Sequence, residues 1–344
     1  MPDQARTLAQ VSEGALLAEI FPFFTGGPGM PVGPGDDAAV LATGSRTVAT
    51  TDTMVRGRDW VDEWSSGADV AAKALTQNLA DVAAMGGRPT AVLVALMADP
   101  AVEVDWVLDF ARELGARAAE AGVAVAGGDL SSAPAGVLAV AVTALGDLPG
   151  RPVLRSGARP GDVVAVCGTL GRSAAGLELL RAGAVREEAV RGDAARGEAG
   201  AGGRGHATRE AEGWNGVAAE CVAHHLRPTT PLAAGPRAAA GGATAMLDVS
   251  DGLLRDGSRL AAASGVRVAL DSALLAPDVD VLREVVGDGA LECVLAGGEE
   301  HSLLATFGGE LPPGWRALGR VEEGEGVTLD GEPQQPRGWD HFAG

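Results

Sequence analysis

The stretch SGADVAAKALTQNLADVAAMG, residues 66–86, decides the fold of this chain, because it combines a helix start with an apolar and a polar face. Ser66 precedes Asp69 by three residues, the spacing of a capping box in the first turn of a helix. The large apolar side chains recur at helical spacing, at Leu75, Leu79 and Val82. The pattern predicts an amphipathic helix, whose polar face carries Asn78 and Asp81.

Strand-like runs and two further helices surround this segment. A turn-rich end near Pro149 closes the group, and the mixed order of strands and helices is typical of an α/β or α+β domain. The predicted elements are helices at 11–24 and 105–121 and strands at 38–41, 47–51, 91–97, 123–126 and 137–145.

A second domain is predicted from 150 to 344, after an N-terminal domain at 1–149. It starts with the turn-rich segment 155–162 and a strand at 163–167, and the strand and helix pattern resumes at Ala243. Between them, residues 187–215 contain almost no large apolar side chain. They cannot bury enough surface to offset the entropy of ordering, so we predict a disordered insertion there.

Charge and cysteine content limit the class of protein. The formal net charge of −19 argues against a nucleic-acid or anionic membrane surface as partner, since both attract Lys and Arg. A phosphorylated substrate stays compatible if metal cations bridge it to the protein. Cys167, Cys221 and Cys293 lie far apart without metal-ligand spacing, which predicts a reduced, cytoplasmic protein. No run approaches the roughly 20 apolar residues that span a bilayer.

Short acidic motifs recur at predicted strand ends and on a helix face. Each one alone is also typical of a turn, a helix cap or a solvated face. Carboxylates that folding brings together repel one another, and an all-oxygen ligand set favours Mg²⁺, which in turn holds phosphate. The motifs are Gly35-Asp36-Asp37, Thr50-Thr51-Asp52, Asn78-Leu79-Ala80-Asp81, Gly127-Gly128-Asp129 and Asp248-Val249-Ser250-Asp251.

Other nucleotide-binding and catalytic patterns are weaker. The loop Gly168–Ser173 follows a strand and precedes a helix, so its backbone N–H groups could receive phosphate. Its spacing matches neither a dinucleotide-binding nor a Walker-type loop. Arg155 is the best-placed arginine for phosphate charge. No nucleophile and no general base can be assembled from the sequence.

Taken in order, these motifs resemble the thiamine-monophosphate kinases, a family of the aminoimidazole-ribotide-synthetase-like ATP-binding superfamily. The resemblance covers nearly the whole chain outside 187–215. Besides the acidic motifs it includes Val82-Ala83-Ala84-Met85-Gly86, Arg155-Ser156-Gly157, His225-Leu226-Arg227-Pro228, Gly297-Gly298-Glu299 and Gly338-Trp339-Asp340-His341-Phe342.

The resemblance implies a two-domain α/β (α+β) fold whose N-terminal domain, with its mixed sheet, pairs into a homodimer. It implies transfer of the γ-phosphoryl group of ATP to thiamine monophosphate, with several Mg²⁺ ions. The implied metal ligands are Asp37, Thr50, Thr51, Asp52, Asp81, Asp129, Asp248 and Asp251. The implied ATP contacts are Gly128, Asp129, Arg155 and Ser250. The implied thiamine contacts are Asp59, Glu299 and Trp339.

The chain departs from the family pattern on the acceptor side. Asp59 stands where the family usually has His, and Glu300-His301 stand where it usually has Asp and an aromatic residue. These differences leave two alternatives open. One is an ATP-dependent kinase or synthetase of the superfamily with a different small phosphorylated acceptor, and the other is a non-catalytic Mg·ATP sensor.

Overall fold

The computed structural model describes residues 5–24, 29–33, 38–194 and 216–339. The predicted ligand Asp37, the greater part of the predicted insertion and the Asp340-His341-Phe342 tail lie outside these ranges.

The N-terminal half is built on a four-stranded sheet with the strand order β1-β4-β2-β3. β2 and β3 run parallel, while the pairs β1–β4 and β2–β4 are antiparallel, so the sheet is mixed as predicted. Its strands are β1 (Thr47–Val55), β2 (Arg88–Ala98), β3 (Ala124–Ser132) and β4 (Leu138–Asp147). Its helices are α1 (Glu13–Ile20), α2 (Gly67–Ala84) and α3 (Val104–Ala121).

The helix predicted at 66–86 is confirmed as α2. Ser66 is its N-cap, and its side chain accepts from the N–H of Asp69 while Asp69 accepts from the N–H of Ser66. The strand predicted at 38–41 is wrong. Val40 forms only an isolated bridge with Val32, and the neighbouring Pro31 has no N–H to extend the pairing.

The two faces of the N-terminal sheet differ. One face buries Met54, Val92 and Val142 together with the apolar sides of α2 and α3. Among the described residues the other face is largely uncovered: Met30, Ala39 and Leu41 pack on Ala91, Ala124 and Ala126, whereas Leu93 and Val55 are exposed, at 41% and 39%. A sheet with one open apolar face is unusual for an isolated domain and typical of an interaction surface.

The C-terminal half is built on a seven-stranded sheet with the order β11-β10-β7-β9-β5-β8-β6. The strands are β5 (Val163–Cys167), β6 (Ala243–Val249), β7 (Arg267–Leu270), β8 (Ser302–Phe307), β9 (Arg316–Glu322), β10 (Gly326–Leu329) and β11 (Glu332–Gln334). The helices are α4 (Arg172–Ala194), α5 (Gly216–Leu226), α6 (Ala234–Ala240), α7 (Leu253–Ser264), α8 (Ser272–Val286) and α9 (Ala290–Ala296).

Helix α4 extends to Ala194, and therefore into the interval predicted as an insertion; residues 195–215 lie outside the described part of the chain. The first sheet ends at Asp147 and the second begins at Val163, on either side of the predicted domain boundary. Among the described helices, none combines the length and apolar character needed to cross a membrane.

Helix α2 joins the two halves. Its C-terminal residues Ala83 and Ala84 belong to the same apolar cluster as Met246 and Phe307 of the second sheet. Gly235 of α6 lies so close to α2 that a Cβ there would stand 2.0 Å from the carbonyl oxygen of Ala83. Helix α2 therefore sets the position of the two halves relative to each other at their junction.

Replacing Gly235 with Ala should destabilise the protein by about 1–3 kcal/mol, because the added methyl group overpacks the contact with α2. Gly14 is a matched control, since it is also the second residue of a helix and has no heavy atom within 4 Å of an added Cβ. Gly14→Ala should be neutral or stabilise by up to about 1 kcal/mol. The midpoint of urea unfolding measures both, and equal midpoints for the two variants would contradict the contact.

Candidate active site

The described residues form an acidic pocket at the junction of the two halves. It lies between the end of β1, one face of α2 and the loops that follow β6 and precede β8. Six of its lining residues carry carboxylates, and the described lining contains neither Lys nor Arg. The lining residues are Asp52, Thr53, Met54, Asp59, Gln77, Asp81, Asp248, Ser250, Asp251, Glu299, His301 and Trp339.

Asp81 and Asp52 bring the N-terminal carboxylates into this pocket. The hydroxyl of Thr50 donates to Asp81 at 2.6 Å, and the N–H of Asp52 donates to the side-chain oxygen of Asn78 at 3.2 Å. Strand β1 is thereby fastened to the polar face of α2. Burial, then the negative charges of Asp248 and Asp52, raise the pKa of Asp81 to about 6. The pocket therefore favours a cation beside this carboxylate.

The turn after β6 presents Asp248, Ser250 and Asp251. Gly252, at φ 113°, is the N-cap of α7 and makes no side-chain cap, so neither Ser250 nor Asp251 serves as the helix cap. The backbone N–H of Asp251 donates to Asp256 at 2.9 Å, and Arg259 pairs with both Asp251 and Asp256 at 2.6 Å. These contacts fix the turn, and Asp248, Ser250 and Asp251 line the pocket.

The loop before β8 has an uncommon backbone. Glu299 and His301 have φ angles of 57° and 52°, a left-handed conformation that non-glycine residues rarely adopt. Their N–H groups donate to the carbonyl oxygens of Ser250 and Val249, at 2.7 and 2.8 Å. Such strain persists where the surroundings determine the conformation, and it clusters at functional sites.

Both side chains of this loop that line the pocket have charged neighbours. Lys73 donates to the two oxygens of Glu299 at 2.9 and 3.0 Å. Nδ1 of His301 lies 3.2 Å from Asp248. Burial alone would lower the pKa of His301, but the hydrogen bond and charge of Asp248 raise it above its ordinary value.

Glu300, between these two residues, faces away from the pocket. It is fully buried and accepts from the hydroxyl of Thr169 at 2.6 Å and from the N–H of Ser173 at 3.0 Å. The N–H groups at the start of α4 therefore donate to a carboxylate of the chain itself and are not free to bind phosphate. The spacing of Gly168–Ser173 already made it a weak phosphate site, and Glu300 satisfies its N–H groups instead; Glu300 does not line the acceptor side of the pocket.

Several predicted residues lie apart from the pocket. Thr51 directs its hydroxyl to the carbonyl oxygen of Val142 and is adjacent along β1 to Thr50 and Asp52, whose side chains lie on the opposite face. Asp129 is exposed on β3 and accepts from Ser131 at 2.7 Å.

Register places Gly128 level with Asp52 across the sheet, and β1 and β3 are the two edge strands, about 14 Å apart at strand spacing. Asp129, one residue further, lies on the uncovered face. At Gly128 a Cβ would stand 1.9 Å from the carbonyl oxygen of Val94. Arg155 is exposed and does not line the pocket.

Sequence reasoning missed Lys73, His225, Asp256 and Arg259. One signal was available: Lys73 and Gln77 precede Asp81 by eight and four residues, so they share its helix face. A second signal was the i, i+3 pair of Asp256 and Arg259 on α7, close behind Asp251. Of these other three, only His225 acts through contacts with distant segments, at Ser173 and Glu299.

Oxygen ligands suit Mg²⁺, but within the described ranges no three carboxylate, imidazole or thiol side chains converge closely enough to hold an ion by themselves. Mg²⁺ in phosphoryl-transfer sites is commonly bound by one or two carboxylates together with phosphate oxygens and water. Asp81 with Asp52, and Asp248 with Asp251, fit that mode of binding.

The two-sheet fold and the acidic junction pocket define a protein of the AIR synthase related class. The family model "AIR synthase related protein, N-terminal domain" matches residues 35–148. A thiamine-monophosphate kinase of Mycobacterium tuberculosis is 40% identical over 353 aligned residues, which cover 99% of this chain and 93% of the relative. The chain belongs to the thiamine-monophosphate kinase family.

Solved structures agree. The thiamine-monophosphate kinase of Stenotrophomonas maltophilia K279a superposes with a TM-score of 0.75 at 32% identity, covering 94% of this chain and 98% of that one. A second, described as AaThiL complexed with AMPPCP and TMP, has a TM-score of 0.72 at 29% identity and covers 99% of this chain and 100% of that one. The predicted family and fold class are confirmed.

Replacing Glu300 with Gln should destabilise the protein by about 1–3 kcal/mol, because a neutral amide cannot replace a buried, charge-assisted acceptor for two N–H or O–H donors. Thermal and urea unfolding measure this loss. Glu323→Gln, on the exposed side of the protein, is the matched control and should not change the midpoint. An unchanged midpoint for Glu300→Gln would contradict the assignment of Glu300 to the helix terminus.

Proposed function

We propose that this protein phosphorylates thiamine monophosphate to thiamine diphosphate with ATP and Mg²⁺. The observation that carries the proposal is the junction pocket, in which six carboxylates from both halves face one space. Such a lining binds anionic phosphates only with cations between, and it suits an acceptor that carries positive charge of its own. The family's activity meets both conditions, because thiamine monophosphate joins a phosphate to a cationic thiazolium ring.

Bound Mg²⁺ would supply positive charge that neutralises the phosphates, aligns donor and acceptor and stabilises the transition state. The residues proposed to hold it are Asp52, Asp81, Asp248 and Asp251 in the pocket, with Thr50 fixing the orientation of Asp81. Asp37, Thr51 and Asp129 stay in the proposed metal set, and Gly128, Arg155 and Ser250 in the proposed ATP set.

The pocket needs no general base for this reaction. A phosphate monoester is already largely dianionic at neutral pH, with a second pKa of about 6. The chain's part is to orient two polyanions whose like charges, at 4 Å, repel by about 4 kcal/mol at an effective dielectric constant of 20. We propose direct in-line transfer between them, without a phosphoenzyme.

The acceptor is proposed to lie against Glu299, Asp59 and Trp339, which line the same pocket. Asp59 accepts from the N–H of Val55 at 2.6 Å, so its carboxylate is fastened to the end of β1. Because Asp59 and His301 are both lining residues, a different small phosphorylated acceptor is a second candidate, and a non-catalytic Mg·ATP sensor a third.

We further infer that the protein is a homodimer that pairs through the uncovered face of the N-terminal sheet. That face exposes Leu93 and Val55 and also carries Asp129. Pairing would bury the apolar side chains and bring Asp129 into an interface. We also propose a cytoplasmic location, because the three cysteines are free, as is usual in a reducing compartment.

Incubating the purified protein with ATP, Mg²⁺ and thiamine monophosphate should yield thiamine diphosphate and ADP, separated and quantified by chromatography. Turnover of ATP with another small phosphate, but none with thiamine monophosphate, would favour the second candidate. Tight Mg·ATP binding without transfer to any acceptor would favour the sensor.

Asp81→Asn should lower turnover by at least about 100-fold, because it removes a carboxylate proposed to hold the Mg²⁺ that neutralises phosphate charge. The same change should stabilise the metal-free protein at pH 7. Below the ordinary pKa of 3.8, Asp81 is protonated in the folded and the unfolded protein, and the folded state keeps its full stability. As pH rises through about 6, the folded protein has to ionise this buried carboxyl and loses stability. At pH 7 ionised Asp81 therefore costs on the order of 2–3 kcal/mol.

The assay and thermal melting without metal measure the two effects of this variant. Asp280→Asn, on the exposed surface, is the control and should change neither value. Lower stability together with normal turnover would contradict the role given to Asp81.

Leu93→Glu should convert the dimer to a monomer, because it puts a charge on each copy at the centre of the proposed apolar interface. Size-exclusion chromatography with light scattering measures the mass. Leu291→Glu is the control: Leu291 is similarly exposed, at 38%, but lies on α9 in the other half. A monomeric wild-type protein would disprove the inferred pairing.

A further inference from the structure

Lys73 is a buried lysine directly behind the pocket wall. It is the only lysine of the chain, among 27 Lys and Arg residues, and 4% of its side chain is exposed. Its Nζ reaches both oxygens of Glu299, at 2.9 and 3.0 Å, and 35% of the Glu299 side chain is exposed. A compact ammonium group with several donors suits such a two-oxygen contact in a narrow space.

Lys73 also lies on the same side of α2 as Asp81, which is proposed to hold Mg²⁺ beside the phosphates. Lys73, Gln77 and Asp81 succeed one another at intervals of four residues and form one line along α2. At 1.5 Å per residue, Lys73 lies about 12 Å from Asp81 along the helix axis. One rigid helix therefore carries both a carboxylate of the proposed metal set and the group that holds Glu299.

Lys73 is the principal positive charge beside Glu299, because the other close partner of this carboxylate, His225, is neutral. Nδ1 of His225 lies 3.4 Å from Glu299 and 3.1 Å from the hydroxyl of Ser173. Burial, and then the charge of Lys73, lower the pKa of His225 to about 3, so this imidazole is neutral. Burial alone would raise the pKa of Glu299, but the charge of Lys73 keeps it below its ordinary value.

The backbone of Glu299 is held as firmly as its side chain. Its φ of 57° is left-handed, and its N–H donates to the carbonyl oxygen of Ser250 at 2.7 Å. With the backbone fixed on one side and Lys73 on the other, the exposed part of the carboxylate faces the pocket in one orientation. Preorganised charge of this kind binds a cationic group without a further ordering cost.

We propose that Lys73 is a positioning residue for the acceptor substrate. Its two hydrogen bonds orient the Glu299 carboxylate, which receives the cationic ring end of the acceptor while the phosphate end lies toward Asp81. The inference rests on the proposed function, since it takes thiamine monophosphate as the acceptor. Glu299, which receives the acceptor, belongs to the C-terminal half, whereas Lys73, which orients it, belongs to the N-terminal half.

Binding of two ligands to the full-length protein tests the proposal by isothermal titration calorimetry. The ligands are thiamine monophosphate and AMPPCP with Mg²⁺, measured separately. Lys73→Met should weaken thiamine monophosphate by at least about tenfold, and AMPPCP with Mg²⁺ by less than about twofold. Lys73→Arg should lose less, because it keeps the charge but not the two-oxygen geometry.

Glu299→Gln and the double variant Lys73→Met/Glu299→Gln complete the design. If the two residues act as one unit, the double variant binds thiamine monophosphate no more weakly than the more affected single variant. Thr76→Val is the matched control, since Thr76 is a buried polar residue of α2 that donates to the C-terminal half, to the carbonyl oxygen of Pro228 at 3.0 Å, and does not line the pocket. Thr76→Val should bind both ligands as the wild type does.

The outcomes separate the possible failures. Equal weakening of both ligands by Lys73→Met, or normal binding of thiamine monophosphate, would overturn the positioning role. If Lys73→Met does not fold, Lys73→Arg and Glu299→Gln test the positioning role in its place. Unchanged affinity for thiamine monophosphate in both variants would overturn that role. A wild-type protein that binds AMPPCP with Mg²⁺ but not thiamine monophosphate would instead refute the proposed function, and this inference with it.

Discussion

Repulsion among carboxylates is the interaction on which the arrangement of this protein depends. Asp52 and Asp81 come from one half and Asp248 and Asp251 from the other, and they line one pocket at the junction. The raised pKa of Asp81 expresses the cost of bringing them together. Cations of the chain, such as Lys73, stand behind the lining and offset part of that cost. The proposed Mg²⁺ ions would supply the rest of the neutralising charge.

Three consecutive residues show how the fold divides tasks around this pocket. Glu299 and His301 face the pocket, whereas Glu300 between them is buried against the first turn of α4. The left-handed backbone at Glu299 and His301 permits this alternation within so short a loop. A carboxylate at the start of α4 satisfies free N–H groups and interacts favourably with the helix dipole. The strained loop is thereby anchored on its far side.

Helix α2 connects these observations. Its apolar side packs on the N-terminal sheet, its last turn packs on the C-terminal half, and its polar line from Lys73 to Asp81 borders the pocket. A shift of α2 would move the carboxylate of Asp81 and the support of Glu299 together. The close contact of Gly235 with Ala83 restricts such a shift. Binding geometry and packing between the halves are therefore coupled through one element.

The sequence by itself determined the helix at 66–86, most strands and the family, because caps, apolar periodicity and motif order are local signals. It erred at 38–41, where the strand-like residues make only an isolated bridge. Only the tertiary structure decided that Lys73 supports Glu299 and that Glu300 closes α4. These contacts join residues 226 and 127 positions apart. No local pattern encodes such pairs, because they form only once tertiary packing has brought distant segments together.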